Sequence, residues 1–108
     1  MADFQKKRFE KPDIVTSPPK AKVETVKVSG VTLARVTYMP GWKWSNDMKA
    51  TAGTNSCQKH HLMYCLSGRM AGKLDDGRPW EFGPGDVADI PPGHDGWVVG
   101  IEPAVVLE

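Results

Sequence analysis

The stretch Tyr64-Cys65-Leu66-Ser67-Gly68-Arg69-Met70, followed by Asp76-Gly77, then Gly83-Pro84-Gly85-Asp86-Val87, then Ile90-Pro91-Pro92-Gly93, decides how this chain folds. Its glycines, prolines and aspartates supply preset φ angles, tolerance of the left-handed region, and side chains that cap a turned backbone. Between them lie only short runs, 69–74, 80–82 and 87–90, each of strand length. Turns at such close intervals predict an antiparallel sandwich or barrel. The run 58–66 is ambiguous, because Leu62, Cys65 and Leu66 also fit a helical stripe and no β-branched residue is present. Its end at Ser67-Gly68, beside a strand-like run, favours a strand.

Outward from this stretch, residues 23–28 and 31–39 are rich in β-branched side chains and flank Ser29-Gly30, which reads as a tight turn. Runs 97–99 and 104–107 add two more strands. Residues 1–22 lack periodicity and carry Pro12, Pro18 and Pro19, so they read as an extended N-terminal arm, frayed or lying along another surface. Residues 23–108 then form a single barrel domain.

The composition narrows the classes. A chain of 108 residues with 40% hydrophobic side chains can build one real core. The arm holds six basic and three acidic residues, which leaves the rest with eight basic and ten acidic. Such a body is a poor polyanion binder, so nucleic acid is not expected as a partner. No apolar run has the length of a membrane span or a signal peptide, which predicts a cytoplasmic protein without a membrane partner. Cys57 and Cys65 are too few for a secreted disulfide scaffold and read as free thiols, with a bridge between them as the alternative. A phosphate-cradling glycine loop, a Gly-x-Ser-x-Gly elbow and a His-Glu-x-x-His helix are all missing.

The stretch quoted first resembles the cupin superfamily in the order and spacing of its motifs. Gly41-Trp42-Lys43-Trp44-Ser45, residues 57–61, and Pro92-Gly93-His94-Asp95-Gly96-Trp97-Val98-Val99-Gly100 are similar to small single-domain bacterial cupins without an assigned reaction. The resemblance covers about residues 23–107. It implies an all-β cupin jelly-roll barrel of short antiparallel strands, commonly a homodimer, with any metal or substrate inside the barrel mouth. The departures are specific. The positions of the superfamily's usual first-motif histidine pair and glutamate hold Asn55, Cys57 and His61, and that of its second-motif histidine holds Gly96.

A substitute metal set of Cys57, His61 and His94 follows, with Asn55 or a water as the candidate further ligand. Thiolate and imidazole suit a divalent ion such as Zn, Fe, Ni or Mn, and three protein ligands leave an open position. On one straight strand Cys57 and His61 would lie about 13 Å apart, so the set requires a bend or bulge between Gln58 and His60. Cys57 also reads as a small buried hydrophobe, or as a redox thiol favoured by His61 or Lys59. Cys57, His60, His61 and Cys65 would make a structural zinc site of unusual spacing. His60 is otherwise a surface residue. Asp95 is the candidate catalytic residue, as general base or orienter of an imidazole, or else a turn-capping side chain. Trp44, Lys59, Met63 and Trp97 are candidates for the substrate pocket, Trp80 is expected outside it, and Arg35 and Arg69 on the surface.

These readings converge on a small metal-binding cupin that binds or transforms a carbonyl- or carboxylate-bearing molecule. As an enzyme it would be a metal-dependent lyase, isomerase or oxygenase. The alternative is a non-catalytic binding or sensing module without a physiological metal.

Overall fold

The computed structural model describes residues 3–108. In chain order the elements are β1 (Ile14–Thr16), β2 (Ala21–Val28), β3 (Val31–Tyr38), helices α1 (Trp44–Asp47) and α2 (Lys49–Ala52), β4 (His61–Ser67), β5 (Met70–Leu74), β6 (Pro79–Phe82), β7 (Val87–Ile90), β8 (His94–Val98) and β9 (Ala104–Leu107). They form two antiparallel sheets, ordered β1-β2-β3-β9-β4-β7 and β6-β5-β8. The hairpin β2–β3 turns at Ser29-Gly30, where both residues take positive φ, 48° and 77°, a backbone whose twist matches that of the flanking strands.

The inner faces of the two sheets share one core. Val36, Tyr38, Met63, Cys65, Ile90, Ala104 and Val106 of the larger sheet pack with Met70, Phe82 and Val98 of the smaller one. Cys65 and Val106 face each other across β4 and β9 and are completely buried. In β4, Met63 and Cys65 are buried while Leu62, Tyr64 and Leu66 are exposed, the period of two that settles the ambiguous run as a strand. Residues 58–60 stay outside it.

Three features differ from the sequence reading. β8 starts at His94, ahead of the expected 97–99. Two four-residue helices occupy 44–52, where no element was expected. The Asp47 carboxylate accepts the Lys43 N–H at the start of α1, and Gly53, with φ 72°, ends α2. Such short helices carry no periodic signal. Trp80 points inward, because Gly72 and Gly96 stand directly opposite each other on β5 and β8, and the indole lies against both. A Cβ at Gly72 would collide with that indole and with the Asp95 carbonyl.

The expected arm is part of the larger sheet, supplying its edge strand β1 and the first two residues of β2. β1 pairs with β2, and the Phe9 ring sits 5.3 Å from the Arg35 guanidinium. Arg35 in turn donates two hydrogen bonds, 3.1 and 3.2 Å, to the buried Glu24 carboxylate. Among the described residues no helix is long and apolar enough to cross a membrane.

Candidate metal centre

Cys57 and His61 lie on separate elements rather than on one straight strand. Cys57 pairs with His94 as an isolated antiparallel bridge, its N–H 2.8 Å from the His94 carbonyl, while its own carbonyl accepts the N–H groups of Gly93 and His94. Residues 58–60, outside any helix, strand or turn, link it to His61, which opens β4. This brings Cys57 Sγ to 3.6 Å from His61 Nε2, and one ligand atom from each of Cys57, His61 and His94 lies within 4.8 Å of the others.

The remaining ring nitrogens are spoken for. His94 Nδ1 lies 2.7 Å from the Pro91 carbonyl, which can only accept, so Nδ1 carries a proton and Nε2 is the nitrogen left for the sulfur's side. His61 Nδ1 donates to Glu108 Oε1 at 2.6 Å, and Lys59 Nζ reaches the same oxygen at 3.1 Å. Two imidazoles fixed through Nδ1 by a carbonyl and a carboxylate are what metal-ligating histidines ordinarily show. The Cys57–His61 spacing fits as well, since tetrahedral Zn²⁺ at ordinary bond lengths separates sulfur from nitrogen by about 3.6 Å.

The same contacts govern protonation. Burial works to raise the Cys57 thiol, but hydrogen bonds from His61, His94 and the Lys59 N–H outweigh it and lower the thiol to about 6. Burial works to lower His61, and its bonds to Cys57 and Glu108 raise it instead to about 9. Burial also opposes ionisation of Glu108, yet its hydrogen bond to His61 holds the carboxyl below its usual range. Between those values Cys57 and His61 form a thiolate–imidazolium pair backed by a carboxylate.

The cluster opens into a cavity of about 510 Å³ between the sheets. Trp44 and Met63, both buried, stand on its wall, and Lys59 lies at its edge, largely exposed. Trp97 and Asp95 do not line it. The alternation of β8 that buries His94 and Gly96 turns Asp95 and Trp97 to the opposite face. There the Asp95 carboxylate accepts the Ser45 N–H (3.1 Å), the Ser45 hydroxyl (2.8 Å) and the Gly96 N–H, and Lys43 Nζ sits 5.3 Å from the Trp97 ring. The expected catalytic Asp95 and pocket Trp97 thus tie α1 to β8. Trp80, expected outside, lines the cavity with its ring edge-on to His94. The four-ligand alternative is not assembled, because Cys65 is fully enclosed and donates to the Ser67 carbonyl while His60 turns outward to Asp89. Asn55 is exposed. Glu108 was missed in the sequence reading, and no local motif announces it.

No protein-family model and no curated protein matches the chain. Solved structures do. A protein of unknown function from Rhizobium leguminosarum bv. viciae 3841 superposes with a TM-score of 0.67 at 21% identity, covering 98% of this chain and 94% of that one. The polyketide cyclase RemF from Streptomyces resistomycificus gives 0.64 at 24% identity, over 97% and 77%. Oxalate decarboxylase from Bacillus subtilis gives 0.57 at 23%, over 88% of this chain and 26% of that one. Identities this low speak to the fold, and the fold is a cupin-type jelly roll.

Proposed function

We propose that this chain is a metal-binding cupin-type protein. In this reading Cys57, His61 and His94 hold a divalent ion whose open position takes a carbonyl or carboxylate oxygen of a small molecule in the cavity. The observation that carries the reading is the Cys57, His61 and His94 cluster, with both Nδ1 atoms already bonded and both Nε2 atoms left to the sulfur's side. A bound ion would act there as a Lewis acid on that oxygen. The chain's own residues do the rest. Glu108 holds the His61 ring and its proton at Nδ1, the Pro91 carbonyl holds the His94 ring, and the apolar wall excludes water. Metal analysis of untagged protein tests this. Near-stoichiometric metal in the wild type, lost in Cys57→Ser and His94→Ala, is expected. Protein that neither contains nor takes up Zn²⁺, Fe²⁺, Mn²⁺ or Ni²⁺ overturns it.

A second reading is favoured by the Cys57–His61 contact itself. It takes the chain as a metal-free binding or sensing module in which the Cys57 thiolate is the reactive group. Homodimerisation belongs with either reading. Leu62, Tyr64 and Leu66 of β4 and Val87 of β7 leave one apolar outer face exposed, and sedimentation of wild type against Leu62→Glu would show whether it pairs.

A further inference from the structure

We propose that the molecule received in the cavity is a predominantly aromatic, oxygen-bearing compound such as an aryl ketone or phenol. Its rings lie among the cavity's aromatic and thioether side chains, and its oxygen faces Cys57, His61 and His94. This deepens the proposed function and rests on that cluster being the end that meets the ligand's oxygen.

Three observations carry it. The space is large, about 510 Å³, in an interior where voids wider than a water molecule are few, and it falls within the range of pockets that enclose organic ligands. Its surface suits rings. Tyr38 and Trp42 meet with ring centroids 4.5 Å apart, Trp80 and Phe82 stack at 5.9 Å, and Met48, Met63 and Met70 add thioethers that adapt to aromatic faces. The polar supply is wrong for a small dianion. Lys59 is the one lysine or arginine among the described lining residues, and Glu108 already engages it. Arg35 and Arg69 lie off the cavity, bonded to Glu24 and Glu81. Among the described residues the buried side-chain polar atoms without a partner are the indole N–H groups of Trp42 and Trp80, both on lining residues. Both nitrogens are enclosed within the wall, so they offer no anchor for a small anion in the cavity.

The test is calorimetry and tryptophan quenching on the full chain loaded with Zn²⁺, using 2-acetonaphthone, 2-naphthol and oxalate as probes. The two naphthyl compounds should bind at least about tenfold more tightly than oxalate. Ala34→Phe and Met48→Trp, two substitutions that fill the cavity from half-buried positions, should each weaken naphthyl binding about tenfold or more while circular dichroism and zinc content stay unchanged. Oxalate binding as tightly as the naphthyl compounds would overturn the proposal, as would naphthyl binding untouched in both filled variants. If the wild type holds zinc and ignores both naphthyl probes, the aromatic inference falls and the metal reading stands. If 2-acetonaphthone binds equally well to His94→Ala protein without metal, the orientation of the oxygen towards the cluster is overturned.

Discussion

Glu108→Gln isolates the contribution of one carboxylate to the cluster. The side chain is reached by two donors, His61 Nδ1 at 2.6 Å and Lys59 Nζ at 3.1 Å, while its backbone pairs with Ala34 in both directions at 2.8 and 2.9 Å. Glutamine leaves the backbone pairing alone and nearly preserves volume, so the fold should persist. What it removes is the negative charge that makes His61 a stronger donor to a metal and locks its Nδ1 proton. Losing such a partner ordinarily weakens metal affinity about 10- to 100-fold, or roughly 1.4 to 2.7 kcal/mol. Lys59→Ala is the control, because it strips the exposed ion pair without touching Nδ1 and should cost below about 1 kcal/mol. Competition against a chromophoric zinc chelator at fixed pH measures wild type, Glu108→Gln, Lys59→Ala and His61→Ala. A Glu108→Gln dissociation constant within about twofold of wild type, with His61→Ala clearly weakened, would refute the reasoning.

Four further outcomes are expected. In metal-free protein, alkylation of Cys57 by iodoacetamide should inflect near pH 6, and His61→Ala should move the inflection up towards the ordinary value of about 8.5. Cys65, enclosed and pushed up by burial, should not react. The same pair sets a stability window. The depressed Cys57 contributes stability that is lost as pH falls through about 6, and the raised His61 contributes stability that is lost as pH rises through about 9. Thermal melts of metal-free protein should therefore peak between those values and flatten in Cys57→Ser. Gly72→Ala should prevent the native barrel from forming, read as loss of the cooperative melt, because the added Cβ meets Asp95 backbone as well as the Trp80 ring. Arg35→Met should destabilise by up to about 3 kcal/mol in urea titration, since it leaves the buried Glu24 carboxylate with only Lys22 Nζ, 3.9 Å away, and adding Glu24→Gln should recover much of the loss.

The strands were legible because their punctuation is local. Ser29-Gly30, Gly77, Gly85 and Gly93 all take the positive φ that their turns need, and every strand-sized run between such turns lies in or overlaps an observed strand. The condition placed on Cys57 and His61, a bend within 58–60, could also be stated from spacing alone. What spacing could not give is partnership across the sheet. Glu108 lies 47 positions from His61 and meets it only because β9 inserts between β3 and β4, placing Leu107 opposite Tyr64. Trp80 needed the two facing glycines of β5 and β8, a pairing that no single segment records. Asp95 is different, since the signal was there to read. Neighbours on a strand face opposite ways, so a His94 that enters the cavity excludes Asp95 from it.

The two readings of Cys57 describe one arrangement of protons. With Nδ1 of both histidines engaged, the sulfur and two Nε2 atoms share the inner end of the cavity. Near neutral pH the thiol proton resides on His61, where Glu108 compensates the charge. A divalent ion and that proton compete for the same lone pairs, so metal uptake near neutral pH must expel about one proton, and affinity must climb as pH rises towards about 9. A thiol-based sensor makes a different demand, because its thiolate is already formed above about 6 and gains little when His61 gives up its proton near 9. The pH dependence between about 6 and 9 therefore separates the readings without knowledge of the ligand: metal affinity climbs across that interval, whereas thiol reactivity, already developed above about 6, stays nearly level across it.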